Sequence, residues 1–289
     1  MLRKQSMRES EQIKSPQSSS PSRDAIGYYV YCVAESIPAE HIVEETCPAS
    51  IEEGTSLELI KSNELTAVVS KVPLSIYGEQ SLEERLSDAA WTAIKAMRHE
   101  QVVEHFAKRA SVVPLRFGTI YLDRSGIERM LAEKQEQLTS IIHRLRNREE
   151  WGVNVFCDRN KLLDNITTIS PRLREMSESA KSASPGQSYL MQKKIEALRA
   201  DEAKAEVARA ADEIESRLKS ESDESTKLRI LKVETTEHGE LRAKFAFLVR
   251  KERFENFRNA AEQLAHEMEA SGIRIELTGP WPAYNFASA

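Results

Sequence analysis

The order of elements in the second half of the chain constrains the fold most. "WGVNVFCD" has the β-branched and aromatic content of a strand, and the charged stretch after it is helical. "KLRILKVETT" and "ELRAKFAFLVR" follow as two strands around the hairpin turn "EHG". "KERFENFRNAAEQLAHEMEASG" is a helix that Gly272 closes, and "IRIELTG" is a last strand. Strand, helix, strand, strand, helix, strand is the order of the ferredoxin-like split βαβ unit. With right-handed crossovers it predicts one four-stranded sheet with helices on one face, a βαββαβ sandwich.

The first half also mixes strands and helices. "AIGYYVYCVA" reads as a strand, a loop with Pro38 and Pro48 follows, and "SLELI" and "ELTAVVSKV" are two further strands. Ser81 and Glu84 have capping-box spacing, so a helix starts there, with Leu82, Leu86, Ala90, Ala93 and Met97 as its inward stripe. Residues 112–121 alternate as a strand, with Val113, Leu115 and Phe117 on one face and Pro114, Arg116 and Gly118 on the other; Pro114 marks it as an edge. Residues 125–148 form a second amphipathic helix. The expectation is an α+β protein of two domains, 25–148 and 149–289, with long charged helices. The Ser-, Gln- and Pro-containing residues 1–24 precede them as a disordered tail.

Charge limits the function. Of 289 residues 30% are charged, yet the net charge is only -5, so no basic field is available for nucleic acid. No apolar run approaches the ~20 residues that span a bilayer, so no membrane role is read. Cys32, Cys47 and Cys157 are far apart and read as reduced thiols of a cytoplasmic protein. There is no HExxH, Gly-rich phosphate cradle or GxSxG elbow, and His99 and His105 fall on opposite sides of a helix. The reading is of a non-enzyme without cofactor or metal.

Five residues stand out. Arg116, in the middle of a strand, needs a partner such as Glu100 or Glu104, or it recognises an anion or another protein. Phe117 lies beside it. Trp281, Tyr284 and Phe286 close the chain, with Pro280 and Pro282 restricting the backbone around the tryptophan. The strand before them directs this segment back over a domain boundary, which makes Trp281 the buried ring and leaves Tyr284 and Phe286 for a partner. The helix at about residues 188–220 carries a narrow stripe through Ile195, Leu198, Val207, Ala211, Ile214 and Leu218, suited to covering its own sheet or, alternatively, to docking a partner helix.

Taken together, "RHEQVVEHFAKRASVVPLRFGTIY", "EEWGVNVFCD", "SPGQSYLMQKK" and "GPWPAYNF" resemble the gas vesicle accessory protein family, types GvpF and GvpL, over residues 26–287. The family's ending commonly has a second proline where this chain has Ala283. The resemblance implies a two-domain α+β protein without known enzymatic activity, associated with gas vesicles. Its implied partners are the very hydrophobic gas vesicle shell subunit and other gas vesicle accessory proteins. Such a shell subunit aggregates edge to edge unless a soluble helper holds it. The expectation is transient binding during vesicle nucleation, through the terminal aromatics or by lending a sheet edge such as residues 112–121. The alternative is a regulatory module that binds a small ligand between tandem α+β domains, which requires a preformed pocket.

Overall fold

The computed structural model describes residues 25–230, 235–237 and 239–287, so the expected tail lies outside the described residues. Apolar strand β1 (Ile26–Glu35) is buried almost end to end. Helix α1 (Ser36–Glu44) follows where a loop is expected. Pro38 is no obstacle, because it stands in the first turn, where an N–H has no intrahelical partner. Strands β2 (Leu57–Ser62) and β3 (Leu65–Pro73) make a hairpin around Asn63, which takes φ 54°.

The next helical stretch differs from the expectation. It breaks into α2 (Leu74–Tyr77), α3 (Glu79–Leu86) and α4 (Ala89–Ala107). Gly78, not Ser81, precedes α3, so the Ser81–Glu84 capping box does not form. The effective cap is Asp88, whose Oδ1 accepts from the Ala90 and Trp91 amides at 3.0 and 3.1 Å and starts α4 afresh. The restart changes the inward face. Leu86, Ala90, Ala93 and Met97 are exposed, while Lys95, His99, Val102, Val103 and Phe106 are buried.

The expected strand over residues 112–121 is two short pieces, β4 (Val112–Pro114) and β5 (Ile120–Tyr121), both pairing with β1. The second expected helix is likewise two, α5 (Arg124–Glu133) and α6 (Gln135–Leu145), with Ile127, Leu131, Leu138, Ile141 and Leu145 buried as the periodicity predicts. Strand β6 (Arg148–Cys157) then leads into α7 (Arg159–Ile169), α8 (Pro171–Lys181) and the 35-residue α9 (Pro185–Lys219). The apolar stripe of α9 divides its work. Ile195 and Val207 pack with Leu162, Ile166 and Leu173 of α7 and α8, whereas Ala211, Ile214 and Leu218 cover the sheet.

Strands β7 (Glu224–Lys227), β8 (Thr235–Thr236) and β9 (Gly239–Arg250), helix α10 (Phe254–Met268) and β10 (Ile273–Trp281) complete the chain. Part of the expected "KLRILKVETT" strand lies outside the described residues; pairing with β9 is seen on either side of the gap. Gly272 ends the helical run at φ 79°, as its position predicts.

Two antiparallel sheets result. Their orders are β2–β3–β1–β4, with β5 also on β1, and β10–β6–β9–β7, with β8 also on β9. Alternation in the strands sets the layers. Tyr29 and Tyr31 of β1 face α4, while Val30 and Val33 face α5 and α6. In β9, Phe245, Phe247 and Val249 face α9 and α10. Ala246 and Leu248 turn the other way and join the cluster of Val30, Ile127 and Leu138. The layers are therefore helix, sheet, helix, sheet, helix, with α5 and α6 between the sheets.

Candidate functional site

The residues singled out by sequence do not take the roles expected of them: Phe117 and Tyr284 gather around His99 on the α4 side of the first sheet, and Phe286 enters the cluster between the sheets. After Pro114 the chain leaves the strand for a turn, in which the Arg116 carbonyl accepts from the Thr119 amide at 3.2 Å. Gly118 takes φ 84°, a conformation that glycine adopts freely. Arg116 is thus exposed on a turn, not enclosed in a strand. Neither Glu100 nor Glu104 holds it: Glu104 pairs with Lys108 and Glu100 accepts from Tyr284. Phe117 is half-buried and packs edge-on against Tyr29 and His99, with ring centroids 6.3 and 5.9 Å apart.

His99 is the hub. Its Nδ1 lies 3.0 Å from the Tyr29 hydroxyl, and its Nε2 lies 3.0 Å from the Tyr284 hydroxyl. The neighbours assign the protons. The Gly118 amide donates to the Tyr29 oxygen at 3.0 Å, which leaves the Tyr29 O–H to donate to Nδ1. Nε2–H then donates to Tyr284, whose O–H donates to Glu100 Oε2 at 3.0 Å. This one-way chain requires a neutral imidazole. Burial enforces it, pushing the His99 pKa down to about 4, and burial also raises the pKa of Glu100.

The rest of the terminal segment is anchored by side chains from β6 and α6. Glu150, 4% exposed, accepts from the Asn285 amide at 3.0 Å and from Asn285 Nδ2 at 2.6 Å. Its pKa is raised by burial despite these bonds, with nearby Glu100 adding to the rise. Arg144 donates to the Phe286 carbonyl. Phe286 itself, 5% exposed, fills the core between Val30, Leu138 and Leu248.

The terminal aromatics therefore exchange roles. Trp281, expected to be buried, is 50% exposed. Phe286, expected to meet a partner, is core, and Tyr284 is an internal hydrogen-bonding group. The cause is a register shift after Thr278, which pairs Trp281 with Glu150 at the sheet rim. The chain then turns through Pro282 and drives residues 284–286 inward. Trp281, Pro280, Pro282, Ala107, Glu104 and Arg148 line a cavity of about 50 Å³ there.

A second exposed feature adjoins it. Leu86, Ile94 and Met97 are 44%, 51% and 56% exposed, with Ala90 and Ala93 between them. Met97 and Glu104 are seven residues apart, so they share one side of α4, about 10 Å apart along it. Since Glu104 lines the cavity at Trp281, the apolar stripe and the tryptophan lie on the same side of the protein.

Sequence reasoning gave Lys95, Glu52 and Glu150 no role. Lys95 is buried, pairs with Glu52 and donates to the Ile51 carbonyl at 2.8 Å. Glu52 also accepts from the Tyr77 hydroxyl. A lysine four residues before His99 on a helix was the available signal, because it places both on one face. Among the described residues no group of His, Cys, Asp or Glu could hold a metal ion, and no helix is long and apolar enough to cross a membrane.

A family model described as "Gas vesicle synthesis protein GvpL/GvpF" matches residues 27–288. The chain is 27% identical to gas vesicle protein L of Streptomyces sp. (strain CB03234) over 81% of this chain and 84% of that one. It is 26% identical to gas vesicle protein F of the same organism, over 66% and 76%. Among solved structures it is similar to gas vesicle protein GvpF from Anabaena sp. PCC7120, with a TM-score of 0.63 and 18% identity over 91% of this chain and 97% of that one. The crystal structure of GvpF from Microcystis aeruginosa gives a TM-score of 0.60 and 15% identity, over 91% and 99%.

Proposed function

Because the chain belongs to the gas vesicle synthesis protein GvpL/GvpF family, we propose that it is a non-enzymatic cytoplasmic accessory protein that holds the hydrophobic shell subunit during vesicle nucleation. The carrying observation is the exposed apolar side formed by Ile94 and Met97 of α4, with Ala90 and Ala93 beside them, and Trp281. Single exposed apolar residues are ordinary, but a stripe along one helix side, backed by a charge-dense surface, suits a helper that shields apolar strands while staying dispersed. The reading includes two α+β units, 25–148 and 149–289, the second ferredoxin-like. The terminal segment holds the first unit against the second, which fixes α4 and Trp281 relative to each other. Arg116 and Phe117, in the turn between β4 and β5, remain an accessory contact.

The sheet-edge idea for residues 112–121 has less support, since β4 and β5 offer three and two residues. A ligand-binding role stays the second reading: the cavity beside Trp281 holds only about 50 Å³, against the ~300 Å³ of a small-molecule site, while depressions of about 600 and 520 Å³ lie along α10–β10 and α9–β9.

Co-purification with the cognate shell subunit tests the proposal. Ile94→Asp with Met97→Asp, and separately Trp281→Ala, should each reduce capture at least about tenfold while leaving the thermal midpoint nearly unchanged, as exposed positions predict. Undiminished capture by all three substitutions together would exclude this side as the dock.

A further inference from the structure

Strand β10 is a free edge of the second sheet. It pairs with β6 on one side and, among the described residues, with no strand on the other. Regular pairing runs from Ile273 to Thr278, before the shift at Trp281. Ile273, Ile275 and Leu277 lie on the face packed against α9 and α10; Ile275 and Leu277 are only half-buried. Arg274 and Glu276 lie on the other face.

These two charges are unmatched. Arg274 is exposed and has no ion pair among the described residues, although most arginines of this chain do. Among the described residues Glu276 accepts only from Asn154 Nδ2, at 3.0 Å, a neutral donor. Two residues apart on one strand, they are also too far apart to satisfy each other closely.

A two-fold axis through Ile275 matches them. Antiparallel pairing of β10 with itself about that residue sets Arg274 opposite Glu276 of a second copy, and Glu276 opposite its Arg274. Ile273 then faces Leu277, and Ile275 faces its own counterpart, so the half-buried apolar row continues across the axis. The neighbouring centres fail: an axis at Arg274 opposes two arginines, and one at Glu276 opposes two glutamates. Charge complementarity thus selects both the occupant and the register.

We propose that β10 is a self-association edge, through which two copies form one continuous antiparallel sheet. The proposal does not depend on shell-subunit binding. Five residue pairs make a small interface, so the dimer is reversible, with a dissociation constant on the order of 10–100 μM.

Sedimentation velocity over a concentration series tests it with the full chain. The wild type should move from monomer to dimer across that range. Arg274→Glu alone, or Glu276→Arg alone, places like charges in both pairs and should raise the dissociation constant about tenfold or more. The double exchange, Arg274→Glu with Glu276→Arg, restores opposite charges and should return the constant to within about threefold of the wild type. Arg274 is exposed and Glu276 half-buried, and unchanged circular dichroism would show the variants folded. A wild type that stays monomeric at about ten times the upper end of that range overturns the proposal. So does a dimer insensitive to the single reversals, or a double exchange that fails to restore it, as when this edge serves a strand of another protein instead.

Discussion

His99 shows how one residue can join two distant parts of a chain. Its two ring nitrogens reach Tyr29 near the start and Tyr284 near the end, and the proton order through them requires the neutral ring. The consequence for pH has a definite sign. The folded value of about 4 lies below the ordinary 6.5, so between these values the unfolded chain binds the proton more readily. Stability from His99 is present above pH 6.5 and is lost as pH falls toward 4, by an amount on the order of 3 kcal/mol. Glu100 and Glu150, raised by burial, act in the opposite direction, contributing more as pH falls. The comparison with His99→Gln therefore isolates the histidine. In urea unfolding, the stability advantage of wild type over His99→Gln should shrink by about 3 kcal/mol between pH 7 and pH 4. A constant difference across that range would show that His99 does not depend on neutrality.

At the scale of elements, α4 is the instructive case. Leu82, Leu86, Ala90, Ala93 and Met97 fit a helical period, and periodicity correctly indicates a helix. It does not indicate which face is inward when a helix has two apolar stripes. Val102, Val103 and Phe106 settle the choice because they pack beneath Tyr31 and Val112. The restart at Asp88 lets α4 adopt that rotation independently of α3. Asp88→Ala removes the acceptor of two orphan amides and should cost about 1 kcal/mol in denaturant unfolding. Increased hydrogen exchange should be confined to the first turn of α4. The same periodicity argument succeeds for α9 and α6, where one inward stripe is available and the other side is mostly polar or charged.

The whole molecule depends on the cluster between the sheets, to which both halves of the chain contribute. Phe286 completes it from the far end of the sequence. Phe286→Ala should cost about 3–5 kcal/mol, as aromatic truncation in a filled core does. Because the cavity would open on both sheets, hydrogen-exchange protection of β1 and β9 should fall together. A loss restricted to one sheet would mean that the halves open independently.

The mixed α+β class, most of the strands, the stripe of α9, the cap at Gly272 and the family are legible in the residues alone. Each of these rests on short-range periodicity, turn chemistry or recognisable local motifs, all of which survive without knowledge of what lies across the core. The sequence also marked Arg116, Phe117, Trp281, Tyr284 and Phe286 as unusual. Tertiary structure alone decided their fates: Phe286 in the seam, Tyr284 on His99, Trp281 at the rim and Arg116 on an open turn. A register shift in β10 and the rotation of α4 set these outcomes, and both depend on partners more than a hundred residues away or on packing against another layer. Local propensity fixes which residues can be buried; only the assembled layers select which of them are.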